Sequence, residues 1–161
     1  MTVPRVHLLY GLSGSGKTTH ARRLSADGAA VRFTLDEWML RLHPELSFDD
    51  DRYGERIDQV KDLIWSVADQ VLAAGVDVVL DWNSWSRQRR SWAVTRARAA
   101  GVSVVLHRLL VGVDDASDRA EGRTRSNAAY AHPVTAAHNV HLASLMEEPA
   151  PEEGFEIRDV T

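Results

Sequence analysis

The sequence predicts an α/β fold, a five-stranded, mostly parallel sheet with helices on both faces and a short arginine-bearing lid, in one domain over residues 1–161. Three observations carry this. Short apolar runs alternate with segments of helical period, the arrangement of successive βαβ units. Two helical segments stop at a glycine, Gly75 and Gly101, and pass directly into an apolar run. The first apolar run opens into Gly11-Leu12-Ser13-Gly14-Ser15-Gly16-Lys17-Thr18-Thr19, the G-x4-G-K-T pattern of a phosphate-binding loop between a strand and a helix.

The first strand is Val6 to Tyr10. In the loop after it, glycines let the backbone turn tightly enough to aim successive N–H groups at a polyphosphate, and the next helix starts with its positive dipole end toward the anion. Gly11, Ser13, Gly14, Ser15, Gly16, Lys17, Thr18 and Thr19 are therefore the expected ATP contacts, with Lys17 reaching the β/γ-phosphates and Thr18 holding Mg²⁺. A dinucleotide fingerprint fits poorly, because Thr19 stands where it needs a glycine or alanine.

The second strand, Ala30 to Thr34, leads through Leu35 to Asp36. A carboxylate at that edge can accept the proton of an acceptor hydroxyl, or it can cap the helix that begins with Glu37 and Trp38. The clearest helix runs from about Tyr53 to Ala74, with Ile57, Val60, Ile64, Val67 and Val71 on one face as core packing. A third strand, Val76 to Leu80, ends in Asp81 at the edge where open α/β sheets bind ligands, which makes Asp81 a metal-side acid or else a helix cap. Trp82, Asn83 and Trp85 follow it, placed either to meet a substrate or to pack beneath neighbouring helices.

A helix from about Ser86 to Ala100 carries Trp92 and Val94 among arginines and precedes the fourth strand, Val102 to Leu110. The acidic stretch Val113 to Asp118 then starts a helix bearing Arg119 and Arg123. Together with Arg125 these read as a short lid that brings positive charge to a transferring phosphoryl group; the alternative is solvated surface arginines. Pro133 opens a further helix to about Met146, and Phe155 to Val160 is a weaker last strand.

Composition removes whole classes of chemistry. With no cysteine there is neither a disulfide framework nor a thiolate site, and no apolar run approaches the ~20 residues needed to cross a bilayer, so the cytoplasm is the expected location. The net charge of −4 gives no global attraction to nucleic acid or to an anionic membrane. Between Asp36 and Asp58 acids outnumber arginines, which reads as a solvated face and, if it borders a cleft, disfavours a polyanionic acceptor. His132, His138 and His141 lack the further ligands a metal site needs, and His7 and His107 inside strands read as packed residues.

The whole pattern resembles the small P-loop kinases: polynucleotide 5′-hydroxyl kinase domains, chloramphenicol phosphotransferase, gluconate kinase and zeta-toxin-like kinases. The loop Gly11 to Thr19 is common to the superfamily, while Asp81-Trp82-Asn83 followed by Arg87, Arg89, Arg90 and Trp92, with Thr34-Leu35-Asp36-Glu37, is similar to the polynucleotide-kinase pattern. The resemblance implies Asp36 as general base, and Asp81 and Asn83 on the acceptor side near Mg²⁺. It implies Arg119 and Arg123 on the nucleotide and transferring phosphoryl group, with Lys17, Asp36 and Arg123 the catalytic set. Trp38, Arg41, Asn83 and Trp85 are the candidate substrate contacts. One departure stands out: those kinases carry an arginine three residues after the base, and this chain has Met39 there. The expectation is an ATP-dependent phosphotransferase acting on a hydroxyl of a neutral or cationic small molecule, with a polynucleotide 5′-hydroxyl end disfavoured and an ATPase switch as the alternative of another class.

Overall fold

The structure, a computed structural model, describes residues 2–125 and 135–161, the side chains of 123–125 excepted. Five strands form one sheet: β1 (Arg5–Tyr10), β2 (Ala30–Thr34), β3 (Asp77–Asn83), β4 (Ser103–Leu109) and β5 (Glu156–Val160). Their order is β2-β3-β1-β4-β5 and every pairing is parallel. Central parallel strands are covered on both faces, which is why β1, β3 and β4 are near-continuous apolar runs, with Val6, Leu8, Leu9, Val78, Val79, Leu80 and Leu106 wholly buried.

The helices are α1 (Lys17–Leu24), α2 (Leu35–Leu42), α3 (Tyr53–Ala73), α4 (Arg87–Ala99), α5 (Val113–Arg125) and α6 (Ala136–Leu145). The larger core sets Val6, Leu8, Val78 and Leu80 against Met39 of α2, Val60, Ile64, Ala68 and Leu72 of α3, and Ala93, Val94 and Ala97 of α4. On the opposite face Leu9 and Val79 meet Ala21 and Leu24 of α1 in a much smaller cluster. From β1 the chain goes to β2, returns to β3, and then passes to the other side of β1 as β4. The carboxyl end of β1 therefore lies at a topological switch point, where such sheets leave a crevice for ligands.

Three element boundaries differ by more than one residue from the sequence expectation, each for a physical reason. β3 does not stop before Asp81 but continues to Asn83, because Asp81 still pairs with Thr34 on β2 and a register shift after Leu8 brings Leu9 opposite Asn83. In α2 the N-cap is Thr34 with no side-chain cap, so Asp36 is no cap; it sits in the first turn, where a negative charge favours the helix dipole. Helix α6 begins at Ala136, with the Thr135 hydroxyl accepting the His138 N–H as its cap. The expected start at Pro133, and His132 beside it, lie outside the described residues.

Candidate active site

The glycine-rich loop leaves β1 and enters α1. Gly14 has φ +84° and lies so close to α5 that an added Cβ would stand 2.0 Å from the Ala116 carbonyl oxygen; Gly16, at φ +96°, is the left-handed N-cap of α1. Inside the loop Lys17 Nζ donates to the carbonyls of Gly11 at 2.8 Å and Leu12 at 2.6 Å. Its charge is thus held at the N-terminus of α1. Among the described residues Ser15 Oγ is buried with no hydrogen-bond partner, an orphaned polar atom in the wall of the cradle. A loop with inward-held positive charge, a helix N-terminus and an unsatisfied hydroxyl fits a polyphosphate.

At the adjacent strand end, Thr18 Oγ1 donates to Asp81 Oδ1 at 3.4 Å, and Arg32 Nε reaches Asp81 Oδ2 at 3.1 Å. Burial pushes the Asp81 carboxyl above the ordinary carboxylate range and the charge of Asp36 adds to this, while Arg32, Lys17 and the Thr18 hydroxyl pull the other way. A hydroxyl and a buried carboxylate next to a phosphate loop are a donor set suited to a hard divalent cation such as Mg²⁺.

On the other side of the crevice Asp36 projects from the first turn of α2, exposed, and its charge reaches Asp81, Tyr53 and Arg89. Burial raises the Tyr53 hydroxyl to about 12, with Asp36 adding to it. Arg89, on the first turn of α4, lies over the Trp85 ring at 5.4 Å and donates to the Asn83 carbonyl at 3.4 Å. Asn83 itself accepts the Gly11 N–H at 3.4 Å, so it touches the phosphate loop directly.

The remaining predicted substrate contacts divide. Trp38 packs on the core, edge-on to Phe33, and Arg41 is well exposed and paired with Glu37 at 3.1 Å. Trp82 is buried and packs edge-on against Trp92, whereas Trp85 is half-buried beneath Arg89. Met39, in the place of the family's arginine, is buried in the core.

Helix α5 covers the loop with Ala116, Ser117 and Ala120, and on it Arg119 is exposed; the side chain of Arg123 is not among those described. Asn139 of α6, fully buried, ties the loop down: its amide oxygen accepts the Ser13 N–H at 3.0 Å and its nitrogen donates to the Ser13 carbonyl at 2.8 Å. Sequence reasoning overlooked Arg32, Lys61, Tyr53 and Asn139. Only Lys61 left a readable signal, as a lysine standing four residues after Ile57 within the apolar stripe of α3.

Residues 6–149 match a family described as an AAA domain. No curated protein matches the chain. Among solved structures, an inferred kinase of Chloroflexus aurantiacus superposes with a TM-score of 0.76 at 16% identity, covering 99% of this chain and 88% of that one. The Mycobacterium tuberculosis APS kinase CysC, in complex with AMPPNP and APS, gives 0.65 at 19% identity over 99% and 90% of the two chains. A chain of the Pnkp1/Rnl/Hen1 RNA repair complex gives 0.69 at 20% identity, covering 90% of this chain and 46% of that one. At such identities these likenesses establish the fold.

Proposed function

The chain belongs to the AAA-domain family matched by residues 6–149 and has the fold of the P-loop kinases, and from that premise we propose an ATP-dependent phosphotransferase. It moves the γ-phosphate of ATP to a hydroxyl of a small-molecule acceptor of the sugar, nucleoside or antibiotic type. The observation that carries this reading is the meeting of two half-sites at one sheet edge. A phosphate loop with Lys17 and the Thr18–Asp81 pair stands on one side, and Asp36, whose charge reaches Asp81, on the other.

In this reading the acceptor hydroxyl gives its proton to Asp36 as its oxygen bonds the γ-phosphorus, and the bond to the departing ADP breaks. Lys17 leaves the loop carbonyls to meet the phosphates; Arg119 and Arg123 add positive charge from α5. Thr18 and Asp81 would hold Mg²⁺, which neutralises phosphate charge when bound. Catalysis is then mainly positioning and electrostatics.

The RNA-repair likeness favours a second reading, a polynucleotide 5′-hydroxyl kinase. Met39 speaks against it, since it is buried where an arginine would have to reach a backbone phosphate. The test is a screen for acceptor-stimulated ADP release over sugars, nucleosides, antibiotics and 5′-hydroxyl oligonucleotides, with Lys17→Ala as the blank. Stimulation by a small alcohol supports the first reading and by oligonucleotides alone the second; equal turnover with no acceptor would mean an ATPase switch.

A further inference from the structure

Beside Asn83, and within reach of the Asp36 charge, lies Arg89, with the buried Lys61 next to it, two cations that phosphoryl transfer does not require. Lys61 comes from α3, its residue 94% buried, with Nζ 5.6 Å from the centre of the Trp82 ring and 5.7 Å from that of Trp92. Arg89 comes from α4, over Trp85. Among the described residues neither makes an ion pair with a carboxylate, although such pairs form readily elsewhere in the protein, as at Arg90–Glu153 and Arg108–Asp159. Lys61 makes no hydrogen bond there at all. Arg89 spends one N–H on the Asn83 carbonyl and keeps four donors.

Two like charges withdrawn from water beside each other are costly, and a fold keeps them when something else compensates. The cost shows in both groups. Burial, with Arg89 next, brings the Lys61 ammonium down to about 8, and burial lowers the Arg89 guanidinium as well. Each also feels the carboxylate of Asp58, which is exposed and too far to pair. The aromatic faces of Trp82, Trp85 and Trp92 soften the desolvation without neutralising the charge.

We propose that Lys61 and Arg89 form an anion subsite in the acceptor half of the crevice, so that the hydroxyl-bearing acceptor also carries a carboxylate, phosphate or sulfate group. This rests on the phosphotransferase reading, and it reverses the expectation of a neutral or cationic acceptor drawn from Met39 and the acidic stretch Asp36 to Asp58. Part of that stretch's charge is spent locally, where Glu37 pairs with Arg41 and Asp50 with Arg52. Arg89 supplies a planar fork for two anion oxygens and Lys61 a point charge beneath it. With the charge of Asp36 within reach of Arg89, the anion fixes one end of the acceptor while its hydroxyl meets the base.

The test is a titration of the full chain, its phosphate loop first saturated with Mg·AMPPNP, with inorganic sulfate as the anion probe and tryptophan fluorescence as the reading. A saturable change is expected, weakened about tenfold or more in Arg89→Gln and in Lys61→Met, with AMPPNP affinity unchanged in both. Sulfate affinity should also fall as pH rises through about 8, where Lys61 loses its proton, and that pH step should vanish in Lys61→Met; the groups facing Lys61 are Arg89, Arg96, Asp58 and the two tryptophan rings. Saturable binding that both variants leave intact, or none at all with AMPPNP bound, overturns the subsite. Failure to bind AMPPNP would overturn the phosphotransferase reading itself, and the two results are distinct.

Discussion

In the proposed cation site, Asp81 would trade stability for a ligand. Its carboxyl is raised by burial, so the ionised form that a cation would require is disfavoured in the folded protein. Asp81→Asn should therefore leave Tm at neutral pH unchanged or higher while Mg²⁺-dependent nucleotide affinity drops sharply, as calorimetry and a Mg²⁺ titration can show. A lower Tm would mean that the Arg32 pair outweighs the desolvation. Lowering the pH should weaken Mg²⁺ binding earlier than for an ordinary carboxylate, since Asp81 takes up its proton sooner. Asp81, Thr18 and Lys17 were legible in the sequence because a strand, a loop and a helix lay in contiguous motifs. Arg32 was not, because its partner stands 49 positions away and meets it only through the β2–β3 pairing.

Two helices hold the site by buried polar anchors. Arg90 of α4, wholly buried, donates to Glu153 at 2.8 and 3.1 Å and to the carbonyls of Ser84 and Glu147. Burial alone would raise the Glu153 carboxyl, but hydrogen bonds from Arg90 and the Ala150 N–H, with the charges of Arg90 and Arg87, hold it below the usual range. Arg90→Met should cost about 3–5 kcal/mol in urea unfolding, since it strands that carboxylate. Asn139→Ala should cost about 1–3 kcal/mol by leaving the Ser13 N–H and carbonyl unmatched, and should weaken nucleotide binding as measured by titration calorimetry. An unchanged nucleotide affinity in that variant would show that α6 does not set the loop. Amphipathic α3 was readable in advance from its period, although Val67, read as core, is exposed and Ala68 and Leu72 are buried instead; α6, with Asn139 as its buried residue, offers no apolar stripe from which its docking could be read.

Across the molecule, the thin α1 side of the sheet is crossed by a polar seam that no local pattern announces. Asp77 Oδ2 meets His7 Nε2 at 2.8 Å, His7 Nδ1 meets His107 Nε2 at 2.9 Å, and His107 Nδ1 meets His20 Nε2 at 2.9 Å. His7 and His107, read singly as packed residues, are thus links of a chain from β3 through β1 and β4 to α1. Burial, with His20 and His7, brings the His107 imidazole down to about 3, and burial lowers His20 too. A histidine lowered in the fold contributes stability that is full above its unfolded value of about 6.5 and is lost as pH falls from there toward the folded value. The urea midpoint should accordingly be flat between about pH 6.5 and 8 and decline toward pH 3, and His107→Gln should flatten the upper part of that decline, before carboxylates titrate.

The two half-sites at the carboxyl edge, ATP on one side and an alcohol on the other, are tested most directly by a single comparison. Acceptor-stimulated ADP release is measured for the wild-type chain and for Asp36→Asn, with nucleotide affinity measured alongside. Transfer that drops by about 10²–10⁴ in the variant while nucleotide affinity holds is the predicted result. Nucleotide turnover that no alcohol stimulates, or that Asp36→Asn leaves intact, would contradict it.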